Sequence, residues 1–127
     1  MFNESFVQES LENYFTNKGY ECKHEQRGID LIVTKDGVIT WIIEAKGETA
    51  DTRTDFCTCV GQLLGRINEP NKNYGLAIPK TEKHIYQAKQ LSKFVRGQLN
   101  IFIFLIDESG SVEIIEPKDN IECTIVK

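Results

Sequence analysis

The sequence has little of what marks several common protein classes. No apolar run approaches the ~18 residues that a membrane-spanning helix needs, and the longest, Ile101-Phe102-Ile103-Phe104-Leu105-Ile106, is the length of a strand. Met1-Phe2-Asn3-Glu4-Ser5 has no basic segment leading into an apolar one, so no secretory signal is expected. The expected address is therefore the cytosol, with no membrane partner. The four cysteines, Cys22, Cys57, Cys59 and Cys123, are then reduced core residues and not a disulfide frame. Cys57 and Cys59 are the one close pair, but on a helix their sulfurs stand about 200° apart, which bars a shared zinc ion. His24 and His84 lack partners at metal-ligand spacing and are expected at the surface. Absent too are a glycine-rich phosphate loop, a Gly-x-Ser-x-Gly elbow, internal repeats and any linker rich in Pro, Gly or Ser.

A basic excess is also missing. Fifteen Lys and Arg face nineteen Asp and Glu, a net charge of -4. Coating of nucleic acid without regard to sequence draws most of its affinity from phosphate neutralisation, so this balance argues against it. It does not argue against an enzyme that reaches phosphate through a metal ion, because the ligands of such an ion are themselves acidic.

What is present fits one globular domain spanning residues 1–127, with 40% hydrophobic and 27% charged residues. Residues 3–18 have helical spacing, with Asn3 or Ser5 to cap them, Val7, Leu11, Tyr14 and Phe15 on the apolar side, and Gly19 as a stop. Strands are expected over 20–24, 29–34 and 38–46, with a turn at Lys35-Asp36-Gly37. A helix over 55–68 has Phe56, Val60, Leu63, Leu64 and Ile67 on its apolar side. A strand over 74–78, one helix over 81–95, and strands over 100–106 and 112–115 follow. The order αβββαβαββ implies an α/β fold, a mixed sheet with helices on both faces.

The informative stretch is Gly28-Ile29-Asp30-Leu31-Ile32-Val33 followed by Trp41-Ile42-Ile43-Glu44-Ala45-Lys46-Gly47. Glu44 and Lys46, two apart on a strand, project from one face. Whether Asp30 shares that face depends on the turn. A two-residue loop at Asp36-Gly37 pairs Lys35 with Val38 and Asp30 with Ile43, which leaves Glu44 facing away. A three-residue loop with Gly37 as a left-handed bulge pairs Asp30 with Ile42 and puts Asp30, Glu44 and Lys46 together. A joint site requires that second register.

Such a trio suits metal-assisted phosphodiester hydrolysis. Asp30, Glu44 and the Ala45 carbonyl are hard oxygen donors for Mg²⁺ or Mn²⁺, which lowers the pKa of bound water. Lys46 then positions or helps deprotonate the attacking water and offsets charge at the phosphate. The plain alternative is an ion-pair network at a strand end.

This stretch resembles the core motif of the PD-(D/E)XK nuclease superfamily, in which an acidic residue on one strand precedes a Glu-x-Lys on the next. Asp30 and Glu44-Ala45-Lys46 match, and Gly28-Ile29-Asp30 stands for the Pro-Asp pair. The family's αβββαβ order matches residues 3–79. The resemblance implies a restriction-endonuclease-like core, here extended by αββ, and a Mg²⁺- or Mn²⁺-dependent DNA endonuclease. It also implies a site role for Gln62 on the following helix. Many members carry a Glu on the first helix where Gln8 stands here; Glu4, one turn earlier, or Gln8 would take that part, Glu4 as a further metal ligand. Arg66, four residues beyond Gln62, and Gln8 are candidate nucleic-acid contacts, although a solvated helix face is the default for Arg66. The same default covers Lys80, Lys83, Lys89, Lys93 and Arg96.

With no separate DNA-reading domain, specificity is expected from a homodimer or a partner protein. Gly61 and Gly65, each unfavourable in a helix by about 1 kcal/mol relative to Ala, suggest close approach by another backbone. The alternative function is a nuclease-fold module that binds nucleic acid or protein without cutting.

Overall fold

The structure, a computed structural model, describes residues 2–26 and 28–121; Cys123 lies outside them. Helix α1 (Glu4–Thr16) precedes strands β1 (Glu21–Gln26), β2 (Ile29–Lys35) and β3 (Val38–Ala45). Helix α2 (Thr52–Leu64), β4 (Asn73–Pro79), α3 (Glu82–Ala88), α4 (Lys93–Leu99), β5 (Ile101–Ile106) and β6 (Val112–Ile115) complete the order. Each helix starts on a side chain that accepts an otherwise unpaired main-chain N–H: Asn3 from Phe6, Asp51 from Thr54, Thr81 from His84 and Ser92 from Val95.

The six strands lie in sequence order. The β1–β2, β2–β3 and β5–β6 pairs are antiparallel; β3–β4 and β4–β5 are parallel, joined by helical crossovers. This is the expected mixed α/β architecture. Alternation along the strands separates two cores. On one face Val7, Leu11 and Phe15 of α1 pack on Leu31, Val33, Trp41, Ile43 and Ala45. On the other, Phe56, Cys59 and Leu63 of α2 and Ile85 and Ala88 of α3 cover Ile32, Ile42, Leu76 and Ile103. Among the described residues no helix is long and apolar enough to cross a membrane.

Four expectations need correction. The single helix over 81–95 is two, because the Ser92 hydroxyl accepts the Val95 N–H and starts a new turn in place of continuing the old one. Arg96 is not on a solvated face: it is 2% exposed and donates to the carbonyls of Leu91, Glu116 and Asp119, fastening the segment after β6. His84 is likewise buried, its Nδ1 bonded to the Thr81 hydroxyl at 2.6 Å, and burial holds its pKa below the usual histidine range. Gly61 has nothing within 4 Å of where a Cβ would stand, and Gly65 meets only carbonyls of its own helix end; among the described residues no second backbone approaches either.

The close approach occurs at Gly47. A Cβ there would lie 2.3 Å from the Glu4 nitrogen and 2.5 Å from the Asn3 carbonyl carbon. The Glu48 N–H donates to the Phe2 carbonyl at 2.6 Å, and the Phe2 N–H donates to Glu48 Oε1 at 3.1 Å. The start of α1 is thereby pinned to the end of β3. Gly47→Ala is expected to lower the urea unfolding free energy by about 1–3 kcal/mol, because main-chain atoms must shift. Gly61→Ala, in an open mid-helix position, is expected to raise it by about 0.5–1 kcal/mol.

Candidate active site

The β2–β3 turn is the two-residue one, with Asp36 (φ 53) and Gly37 (φ 80) both in the left-handed region. Lys35 accordingly pairs with Val38 and Thr34 with Ile39. The register then shifts by one between Val33 and Thr34, so that Val33 pairs with Trp41, Ile32 with Ile42 and Leu31 with Ile43. Thr40 is the extra residue, and its hydroxyl donates to the Val33 carbonyl at 3.1 Å. Carried one step past the last ladder pair, this register sets Asp30 opposite Glu44, and the Asp30 carboxylate reaches the Ala45 N–H. The three-residue loop is thus corrected, yet the common face it was needed for is supplied by the bulge at Thr40.

Asp30 and Glu44 lie on the sheet face covered by α2, in line with Ile32 and Ile42. Asp30 Oδ2 accepts the Ala45 N–H at 2.8 Å, which orients the carboxylate at the strand end. The Lys46 N–H donates to the Ala77 carbonyl at 3.0 Å, so the parallel ladder with β4 runs on past β3 and keeps Lys46 in step with Glu44. This is the carboxyl end of two adjacent parallel strands, where open α/β sheets commonly bind ligands. The buried Cys59 thiol on α2 marks the enclosure: burial first, then the nearby Glu44, Asp30 and Glu4 charges, push its pKa up, while Lys46 acts the other way.

Glu44 is 1% exposed, and its Oε1 has no hydrogen-bond partner. Burial, then the Asp30 carboxylate as hydrogen-bond partner and like charge, push its pKa up to about 7; Arg66 opposes this. Arg66 reaches Glu44 from beyond α2, which ends at Leu64 and not at residue 68. Its Nε stands 3.6 Å from Glu44 Oε1, and its Nη2 donates to the Gly28 carbonyl at 2.9 Å. The solvated reading of Arg66 is therefore corrected: it sits across the site. No local signal in the sequence marks that role, since the two partners lie 38 and 22 positions away.

The other candidates are less engaged. Glu4 is half-buried and accepts from Gln8 Nε2 at 3.3 Å; its charge reaches Cys59 around the end of the sheet. Gln8 is buried on α1. Gln62 is exposed on α2, one turn beyond Cys59, and is not drawn into the carboxylate pair. Among the described residues no three His, Cys, Asp or Glu side chains gather as a ready metal cage. The donor set for a cation is two carboxylates and a main-chain carbonyl, which suits an ion that keeps water and substrate oxygens as its remaining ligands.

Because the folded protein holds the Glu44 proton more tightly than the unfolded chain does, folding takes up a proton between pH 4.5 and 7. This group's contribution to stability therefore falls as pH rises through that window. Urea unfolding at a series of pH values is expected to show a shallower decline there for Glu44→Gln than for the wild type, with the variant the more stable at pH 8.

No family model matches the chain, and no curated protein matches it in sequence. Solved structures do. It is similar to an XisH family protein from Nostoc punctiforme PCC 73102, with a TM-score of 0.59 and 16% identity over 87% of this chain and 98% of that one. It is equally similar to an FdxN element excision controlling factor protein from Anabaena variabilis, with a TM-score of 0.59 and 16% identity over 86% and 96% of the two chains. At these identities the likeness is one of fold, and it extends over nearly the whole of both neighbours.

Proposed function

We propose that the protein is a divalent-metal-dependent DNA endonuclease of the PD-(D/E)XK type. The observation that carries this reading is the opposition of Asp30 and Glu44 on one sheet face with Lys46 two residues beyond, at the open end of two parallel strands. The orphaned, buried Glu44 Oε1 beside a second carboxylate is a good fit to a hard cation. Asp30, Glu44 and the Ala45 carbonyl would hold Mg²⁺ or Mn²⁺. When bound, the ion would acidify a water molecule and offset charge on the scissile phosphate.

The chain's own residues divide the remaining work. The Ala45 N–H holds Asp30 by one oxygen and so fixes the direction of the other. Lys46 brings an ammonium to the same rim, where it orients the attacking water and counters the negative charge that builds on the phosphate. Gln62, exposed on the neighbouring helix, would meet substrate in place of metal. DNA is preferred to RNA on the resemblance to DNA endonucleases, and one structural neighbour is named an FdxN element excision controlling factor. The net charge of -4 leaves binding to depend on the metal and on a second subunit or a partner protein.

Two observations favour a second reading, a nuclease-fold module that binds without cutting. The same neighbour is named as a controlling factor, and Gln8 stands where many nucleases of this type carry Glu. Incubation with linear, branched and single-stranded DNA in Mg²⁺ or Mn²⁺ separates the two. The endonuclease predicts cleavage of at least one substrate, lowered about a hundredfold or more by Asp30→Ala and by Lys46→Ala. Intact DNA under every condition assigns the module.

A further inference from the structure

Arg66 is held in an unusual way. Its Nε and the Glu44 Oε1 are both buried and both lack a hydrogen-bond partner, although they face each other across 3.6 Å. A guanidinium closed on a carboxylate as a two-pronged fork stands at about 2.7–2.9 Å. Here the fork is kept back, because Nη2 is anchored on the Gly28 carbonyl at 2.9 Å. Its root is also fixed: the Arg66 N–H donates to the Leu63 carbonyl at 2.8 Å, in the turn that closes α2. Gly28 makes the anchoring possible. It has φ +76, and a Cβ there would lie 2.8 Å from Nη2.

The guanidinium therefore lies over a buried carboxylate without chelating it. A carboxylate 1% exposed, with a second one beside it, is costly to bury without a nearby positive charge, and the Arg66 Nε is the cation facing its orphaned oxygen. Arg66 provides that charge while no metal is bound. A divalent cation between Asp30 and Glu44 would provide it better, and would repel the guanidinium. The loose 3.6 Å contact, with neither atom hydrogen-bonded, is an arrangement that can be given up at little cost; the Gly28 anchor would remain.

We propose that Arg66 is the resident stand-in cation of this site, competing with the divalent ion for Glu44 and yielding the carboxylate when the ion binds. This rests on the metal-dependent reading above. It makes Arg66 a positioning residue and sets metal affinity below what the donor set alone would give.

The test is calorimetric titration of the whole protein with Mn²⁺ alone. Arg66→Met, which removes the charge and keeps the bulk of the stem, is expected to bind Mn²⁺ about tenfold more tightly than the wild type. Arg66→Lys, which keeps the charge, is expected to stay within about twofold of the wild type. A gain that came only from loosening or opening the site would appear in Arg66→Lys as well, and that result overturns the proposal. Arg66→Gln, able to keep a hydrogen bond to Gly28, is expected to show the same gain and decides the matter should the methionine variant fail to fold. Unchanged or weaker Mn²⁺ binding in the neutral variant overturns the proposal.

Cleavage is a separate readout. DNA cut by the wild type with no gain in Arg66→Met sinks the stand-in role alone. A gain with DNA left intact sinks the nuclease reading alone. Absence of Mn²⁺ binding in every variant removes both.

Discussion

The register of one hairpin governs everything that the site can do. Strand pairing has a side-chain period of two, so a slip of one residue between β2 and β3 would send Glu44 to the α1 face and leave Asp30 alone on the other. The tight Asp36-Gly37 turn by itself dictates that unfavourable register. The extra residue Thr40 reverses the parity between the turn and the strand ends. A bulge also strengthens local twist, and it lies on the exposed half of the hairpin, well before the buried run from Trp41 to Ala45. The irregularity is thus confined to a region where water can satisfy loose main-chain groups.

The second theme is how a buried acid is kept. Hydrophobic packing on both sheet faces would make an isolated carboxylate at residue 44 prohibitive. The chain answers in two ways: with the Arg66 guanidinium from the end of α2, and with a proton that Glu44 gives up only near neutrality. Two glycines without side chains make the geometry possible. Gly47 lets α1 close on the end of β3, and Gly28 lets the guanidinium reach its carbonyl. Stability and chemistry meet at these two positions, where main chain or a cation fills the space a side chain would take.

Much of this was legible in the sequence. Apolar alternation located the strands, Asn3 and Thr81 announced helix starts, and the motif spacing singled out Asp30 and Glu44, which the fold sets side by side. The bulge was not legible, because Thr40 sits in a β-branched run that would serve equally well in a regular strand, with no glycine to mark it. Ser92 was a readable cap, but the apolar spacing around it hid the helix break. The positions of Arg66 and Arg96 could not be read at all: each acts on main chain or side chain brought near only by tertiary folding. Gly61 and Gly65 suggested a crowding that instead occurs at Gly47, since helix propensity reveals a cost but not its cause.

Trp41 is the chain's single tryptophan. It lies on β3 three residues before Glu44, but on the α1 face, where Phe15, Phe102 and Phe104 surround it at ring-centroid distances of 5.5, 4.5 and 5.3 Å. The molecule therefore carries one indole fluorophore, walled by aromatic rings and mounted on the very strand that bears the acid. Indole emission excited at its own red-shifted absorption follows the packing of β3 from behind, with no label to attach and no reagent touching the acids.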